Sequence, residues 1–562
     1  VRRMTARLPE HLDLIAGAPD GIRKLRGLIL ELAVRGKLVP QDPNDEPASE
    51  LLKRIARERA RLEAEGLCKK SKPVPVIGED EHPFTQSKGW HWVRNGSLFS
   101  LRKGKVPKNL SEVKSDIPYL DIEALDRGNV RRYTTDVSTS QAKESDILVV
   151  CDGSRSGLVL NGKNGAIGST LAVIESPRFI QPFIKIIFRQ SFERLNSTMK
   201  GAAIPHLDTA QLILNVVGLP PLAEQHRIVA KVDELMALCD RLEAEQADAD
   251  SAHVRLVDTL LGTLIQSTDA ADPDANWQRL AEHFATLFTS ESSLDALKQT
   301  ILQLAVMGKL VPQDPNDEPA SELLKRIAMR RSESLAKGYP NPGEAGTQTK
   351  KHEKQNCPKN LVQLPDGWSW ATLMQCAELV VDCHNKTAPY SSTGVPLLRT
   401  TNIRDGSLNS KEPKFVSPDV YERWSARCKP EPGDLLITRE APMGEVCIIP
   451  DGMTVCMGQR IMLIRLVQDT VAPKFLLYSL LEPNLIERVQ DKPVGATVEH
   501  LRVGGVETLL VQLPPLAEQH RIVAKVDELM ALCDHLKADL AESRARQERL
   551  AATLIESALQ AA

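Results

Sequence analysis

The 22 residues LPPLAEQHRIVAKVDELMALCD occupy Leu219–Asp240 and return unchanged at Leu513–Asp534, 294 residues later. A second block, GKLVPQDPNDEPASELLKRIA, occupies Gly36–Ala56 and returns at Gly308–Ala328, 272 residues later. Repeats of this length mean two related halves, and that conclusion precedes any choice of fold. The offsets differ by 22, so the segment between the blocks is 22 residues longer in the second half (residues 329–512) than in the first (residues 57–218). The inserts show fainter similarity in register. PYLDIEALDRGNV (Pro118–Val130) lies against PLLRTTNIRDGSL (Pro396–Leu408), SDILVVCDGSRSG (Ser145–Gly157) against GDLLITREAPMGE (Gly433–Glu445), and GAAIPHL (Gly201–Leu207) against GATVEHL (Gly495–Leu501). A scaffold is kept twice while its surface changes.

The repeated stretch has readable geometry. After Pro220-Pro221, suited to a helix start, apolar residues fall at Ile228, Val232, Leu235, Cys239 and Leu242. The copy places Ile522, Val526, Leu529, Cys533, Leu536 and Leu540 in the same way. This a/d spacing predicts a helix packed along its length, and continuation to about Ile265 gives roughly 45 residues, or about 65–70 Å. The other block follows a helix with Leu25, Leu28, Ile29 and Leu32 on one face and Gly36 in a C-cap position. Pro47 then opens a second amphipathic helix that ends at Gly66. Segments Lys69–Lys88 and Gly338–Gly367, rich in Pro, Gly and Lys, read as linkers. Short β-like runs at Ile147–Val150, Leu171–Ile174, Leu435–Thr438 and Ile461–Ile464 make the inserts mixed α/β. The expected parts are a helical region (1–80), a first globular insert (81–218), a central repeated helical region (219–296), a second helical block with linker (297–359), a second insert (360–512) and a C-terminal repeated helix (513–562).

Composition narrows the class. A chain of 562 residues exceeds one compact core, and 42% hydrophobic with 26% charged residues is the balance of an ordinary soluble protein. No uninterrupted apolar run approaches the ~18 residues of a membrane span, so a cytoplasmic protein without a membrane partner is the default. The ten cysteines form no CxxC pair, and Cys376, Cys383 and His384 lack zinc-finger spacing, so neither disulfides nor a metal is expected. A net charge of −3 gives no global electrostatic argument. Locally, residues 81–218 carry 18 Lys and Arg against 13 Asp and Glu, and residues 360–512 carry 15 against 18, so charge alone does not indicate nucleic acid.

Motifs for catalysis are missing. Gly157–Asn164, GLVLNGKN, fits a phosphate loop's GxxxxGK, but Asn164 stands where Ser or Thr must bind magnesium, and a Gly-rich turn is the better reading. No dinucleotide fingerprint, HExxH or GxSxG occurs. His226 and His520 begin helices without a matched catalytic partner and read as structural or subunit-facing. The chain is expected to bind and position while something else catalyses. Two linked domains make two short recognition sites act as one long one, and duplex DNA, with half-sites about one ~34 Å turn apart, suits that arrangement.

The two repeated blocks, with GDLLITREAPMGE and VPLLRTTNIRDGSL, resemble the specificity subunits of type I restriction–modification systems, and the resemblance spans almost the whole chain. It implies an α/β fold with two target-recognition domains, separated by two long antiparallel coiled-coil-like helices, in an internal pseudo-two-fold repeat. It implies further that the domains read a split sequence in double-stranded DNA and that the helices set the gap. Two methyltransferase subunits would bring S-adenosylmethionine, and two restriction subunits would add ATP- and magnesium-dependent cleavage. This chain itself would hold no cofactor and catalyse nothing. A duplicated coiled-coil adaptor binding proteins is the other reading, kept open by the acidic second insert.

Base reading needs polar and cationic side chains on loops able to enter a groove. In the first domain the candidates are Asp121, Glu123, Arg127, Asp152, Ser154, Arg155, Lys163 and Asn164, with a basic loop of Arg102, Lys103, Lys105 and Lys108 for phosphates. In the second they are Arg399, Thr401, Asn402 and Arg404, Arg439 and Glu440 on the turn after LLIT, and Gln459 and Arg460. Arg439→Ala is expected to weaken one half-site alone. The repeated helix starts supply the expected partner-binding residues Glu224, Gln225, His226 and Arg227, and Glu518, Gln519, His520 and Arg521.

Overall fold

The computed structural model of the chain describes residues 14–66, 68, 73–85, 87–197, 206–266, 282–490 and 500–560. Two compact units emerge, Val1–Ala249 with Ser543–Ala562, and Asp250–Glu542. Among the described residues no helix is long and apolar enough to cross a membrane.

The first unit begins with α1 (Gly21–Val34) and α2 (Ala48–Ala64). α1 buries Leu25, Leu28, Ile29 and Leu32, the face its spacing predicts, and gives way to Gly36 at a φ of 68°, a conformation glycine adopts at little cost. α2 starts directly after Pro47 and buries Leu51, Ile55 and Arg59, whose guanidinium donates to the Gly96 carbonyl at 2.6 Å. The insert follows as β1 (His91–Arg94), β2 (Ser100–Lys103), β3 (Ile147–Val150), β4 (Val159–Asn161), β5 (Leu171–Glu175), α3 (Gln181–Ser197) and β6 (Val216–Leu219), and leads into the long helix α4 (Leu222–Gln266). β1 and β6 pair antiparallel, His91 opposite Leu219 and Arg94 opposite Val216, so both ends of the insert enter at one place. An antiparallel sheet of order β2-β5-β3-β4 forms the middle of the domain. All four residues of β3 are buried, which explains its unbroken apolar run. A smaller sheet sets Ile117–Leu120 parallel to Gly165–Ile167.

Ile228, Val232 and Cys239 of α4 lie in one core with α1, α2 and α3, and Arg26 of α1 reaches Asp240 and Glu243 at 2.6 and 2.7 Å. The seam that the sequence assigns to a coiled-coil partner is thus largely filled by shorter helices of its own half. A heptad pattern dictates that a face be covered and leaves the covering element unnamed. The end of the second long helix also belongs to this unit: Leu554, Ile555, Ala558 and Leu559 pack on the core, and Glu548 pairs with Lys24 at 2.9 Å.

The second unit repeats the plan with α5 (Glu291–Val306), α6 (Ala320–Ala336), α7 (Pro342–His352), β7 (Ser369–Thr372), β8 (Leu379–Asp382), β9 (Leu435–Thr438), β10 (Val446–Ile448), β11 (Ile461–Arg465), α8 (Pro473–Leu481), β12 (Leu510–Leu513) and the long helix α9 (Leu516–Gln560). The sheet order β8-β11-β9-β10 is that of the first domain, β7 pairs with β12, and Val395–Leu398 runs parallel to Cys456–Met457. Val257 and Leu261, from the end of α4, are buried in this unit's core. Each long helix has 45 residues, about 67 Å at ~1.5 Å per residue.

The stretch Gly338–Gly367, expected as a linker, contains α7. Asn341 caps this helix by accepting from Glu344 N at 3.0 Å. Its buried Gln348 donates to Val380 O at 2.9 Å and accepts from Val380 N at 3.4 Å, which seals β8, the edge strand of the sheet. No counterpart of α7 stands among the described residues of the first half, which is the shorter one. Most of the expected linker Lys69–Lys88 is described, and there Glu81 pairs with Arg94 at 2.8 Å while His82 and Phe84 pack on Trp92. Residues 1–13, and residues 201–205 and 495–499 of the matched GAAIPHL and GATVEHL segments, lie outside the described residues. The ends of those segments support the register: Leu207 N donates to Cys151 O at 2.7 Å, and Leu501 N donates to the equivalent Arg439 O at 2.9 Å.

Candidate nucleic-acid interface

In the first domain, Arg102 and Lys103 belong to β2 and not to a loop. Arg102 lies along the sheet, its Nε 2.7 Å from Glu175 and its Nη1 2.8 Å from Ser140 Oγ, so its charge is spent inside the domain. Lys103 lies 3.5 Å from Asp152, which also accepts from His206 Nδ1 at 2.7 Å if that nitrogen carries the proton. Lys105 and Lys108 are exposed beyond the strand end. Asp121 caps the short helix Ile122–Asp126 through Ala124 N at 2.9 Å and pairs with Arg132, while Glu123 pairs with Arg131 at 2.7 Å. Around that helix's C-terminal end three cations meet. Arg155 pairs with Asp126 at 2.9 Å, Lys163 donates to Ala124 O at 3.0 Å, and Arg127 is the exposed C-cap. Ser154 is exposed after Gly153, and Asn164 Oδ1 accepts from Glu144 N at 3.2 Å. Gly157–Asn164 runs through β4 into a turn with no helix after it, which is no phosphate loop.

In the second domain several candidates turn inward. Asn402 is buried, accepting from Arg399 N at 3.0 Å and donating to Asn409 O and Lys411 O, so it holds the loop together. Arg404 donates to Thr400 O at 2.7 Å, and Arg399 donates to Glu412 O at 2.8 Å. Arg439, the favoured base reader, has its side chain 16% exposed, faces Asp382 at 3.3 Å and donates to Leu501 O at 3.3 Å. Its partner arrives from β8, 57 positions earlier, a pairing that the turn alone does not disclose. Glu440 pairs with Arg460 at 2.9 Å, and Gln459 donates to Asn385 O at 3.1 Å. Thr401 and Arg460 remain exposed. His384 stacks on Trp424, and among the described residues no group of His, Cys, Asp and Glu can hold a metal ion.

The expected partner-binding residues are mostly occupied within the chain. Trp90 Nε1 donates to Glu224 Oε2 at 3.1 Å, and Trp368 Nε1 to Glu518 Oε2 at 3.0 Å. Both carboxyls are 1% exposed and, among the described residues, Oε1 has no hydrogen-bond partner; burial pushes each up to about 7 although the indole N–H pulls down. Arg227 pairs with Asp45 at 2.6 Å and Arg521 with Asp317 at 2.7 Å, so the two repeated blocks touch each other in each half. Gln225 and Gln519 donate to Pro220 O and Pro514 O, and among the described residues Gln519 alone of the two also accepts, from Ala472 N at 2.8 Å. His226 and His520 alone of the eight are exposed. Much of the identity between the copies thus reflects a shared internal joint.

The family model for the type I restriction modification DNA specificity domain matches residues 87–249 and again residues 385–543. The type I restriction enzyme EcoAI specificity subunit of Escherichia coli is 36% identical across 96% of this chain and 94% of its own length. The EcoEI specificity subunit of Escherichia coli is 32% identical over the same shares. The solved HsdS subunit from Thermoanaerobacter tengcongensis is 20% identical with a TM-score of 0.36, covering 85% of this chain and 98% of that one. One such domain per repeat, and relatives alike along almost their whole length, lead to one conclusion: the chain belongs to the family of type I restriction–modification specificity subunits.

Proposed function

We propose that the chain reads a split duplex DNA sequence, one part through residues 81–218 and the other through residues 360–512, with the long helices setting the gap. It is the recognition component and not the catalyst. Two methyltransferase subunits dock on it and bring S-adenosylmethionine, and two restriction subunits add ATP- and magnesium-dependent cleavage. The reading rests on one observation above all: a single scaffold occurs twice with unlike side chains at equivalent places. At the last position of the first strand of the sheet stand Lys103 in β2 and Asp382 in β8, and Cys151 in the first domain is replaced by Arg439 in the second. One sheet bearing unlike side chains is consistent with two readers of different sequences. Membership of a DNA specificity family favours this over a protein-binding adaptor.

The test is selection of bound duplexes from a random pool by the chain in complex with its methyltransferase subunit, at two salt concentrations. Enriched duplexes should share two fixed segments at constant separation. Enrichment of one contiguous segment, or of none, would refute the reading.

A further inference from the structure

The second domain carries more acidic than basic residues, so its DNA contact must be local, and the structure locates unopposed cations. Tyr390 is 53% exposed, and Lys414 Nζ lies 5.5 Å from the centre of its ring. The two are held together by backbone: Ser391 N donates to Phe415 O at 2.9 Å. Lys386 lies on the same loop as Tyr390, anchored by Trp424 Nε1 donating to Lys386 O at 3.2 Å. Lys411 lies on the loop that leads to Lys414, where Asn402 donates to its carbonyl at 3.0 Å. Among the described residues none of these three lysines makes an ion pair, whereas Arg399, Arg439, Arg460 and Arg465 all do. Glu412, the acid nearest in sequence, faces Arg399 at 3.6 Å.

The first domain supplies an independent observation. Leu397 N donates to Lys414 O at 2.8 Å, and at the matching place Tyr119 N donates to Arg132 O at 2.8 Å. Arg132 likewise lies over a tyrosine ring, 4.8 Å from the centre of Tyr119. The loop after β2 carries Lys105 and Lys108, and the loop after β8, its counterpart, carries Lys386. Two domains with different sequences thus place cations at the same two addresses of one scaffold.

We propose that this face, the loop after β8 together with the 411–414 loop, is where the second domain meets duplex DNA, with Lys386, Lys411 and Lys414 on phosphates and Tyr390 against the bases of one half-site. The proposal rests on the reading of the chain as a DNA-recognition subunit and deepens it. An exposed ring beside cations without carboxylate partners fits a polyanion with apolar base edges, because the lysines gain counterions without first losing partners. Gln459 and Thr401, from the neighbouring loops, border the same face and complete the polar lining.

The experiment measures binding of the complex of the full chain and its methyltransferase subunit to the selected duplex and to a random duplex across a salt series. The double variant Lys411→Ala/Lys414→Ala should weaken both duplexes alike and flatten the log–log salt slope by about 2, one per phosphate contact. Tyr390→Ala should lower the preference for the correct bases of one half-site by about ten-fold while leaving the other half-site unchanged. Tyr390→Phe, which retains the ring, should restore that preference. All these side chains are exposed or half-buried on loops, and unchanged reading of the other half-site serves as the folding control. Wild-type affinity and slope in the double variant, with wild-type preference in Tyr390→Ala, would overturn this assignment and leave the DNA reading standing. Failure of the wild-type complex to prefer any duplex would instead overturn the reading on which the proposal rests.

Discussion

Replacing Glu224 or Glu518 with glutamine should make the protein more stable, by an amount that grows as pH rises from about 4.5 to about 7. Each carboxyl is buried, accepts one hydrogen bond from an indole and, among the described residues, leaves Oε1 without a donor. Burial raises its pKa from the ordinary 4.5 to about 7. A group raised in the folded state contributes its full stability below about pH 4.5 and loses it as pH rises through about 7. Across that window the loss amounts to roughly 3 kcal/mol per site. Arg227 and Arg521, three residues further along the same helices, already act within that value; burying the glutamine amide offsets part of the gain, so about 1–3 kcal/mol is expected. Glutamine keeps the acceptor for the indole and places a neutral amide where the lone oxygen stands. Thermal unfolding of Glu518→Gln at about pH 8 should show a midpoint raised by roughly 2–8 °C, with a change near zero at about pH 4. Glu224→Gln should do the same for the first unit. A destabilised Glu518→Gln at the higher pH would mean that the ionised carboxylate is well satisfied, and would refute the reasoning.

The paired glutamines give a matched comparison. Gln519→Leu strands the Ala472 amide and should cost about 1–3 kcal/mol, whereas Gln225→Leu loses a single bond and should cost no more than about 1 kcal/mol, read from denaturant unfolding. Arg439→Ala should lower the stability of the second unit by about 1–3 kcal/mol by leaving Asp382 without its cation, with any change in half-site preference secondary to that loss; unfolding and binding series on one preparation separate the two. Lys163→Ala should weaken specific and random DNA equally and reduce the salt slope by about 1, without shifting the unfolding midpoint by more than about 1 °C. Insertion of one heptad after Asp248 and another after Glu542 lengthens both long helices in stretches whose side chains are exposed. It should widen the gap between half-sites without altering either, as read by duplex selection.

The repeat unit was legible because identity needs no fold to be seen, and the strands at Ile147–Val150 and Leu435–Thr438 were legible because buried strands read as bare apolar runs. The long helices were legible from Pro220-Pro221 and Pro514-Pro515 onward because of the apolar spacing that runs to Leu242 and to Leu540. What covers that spacing was not, since a seam filled by α1 and a seam filled by another rod look the same from one side. Helix α7 escaped because it docks through Gln348 and two backbone bonds rather than through an apolar stripe, although Asn341-Pro342 is a sound start signal. Among the site residues, Arg439 and Arg102 looked free because the acids that hold them, Asp382 and Glu175, lie on other strands. Glu224 read as a partner-binding residue because its indole partner stands 134 positions away. The Gly-Trp pairs at Gly89-Trp90 and Gly367-Trp368, one at the entrance of each insert, are a sequence signal that could have located the joint and went unread.

The central claim is that each insert reads one part of a split DNA sequence for an enzyme held by the rest of the chain. It is tested most directly by expressing the chain with its methyltransferase subunit in cells lacking adenine methylation and sequencing single genomic molecules for methylated adenine. The account predicts one motif of two fixed segments around a constant unspecified gap, with only one segment changed when residues 81–218 are exchanged for a relative's domain. A contiguous motif, or an exchange that alters both segments together, would contradict it.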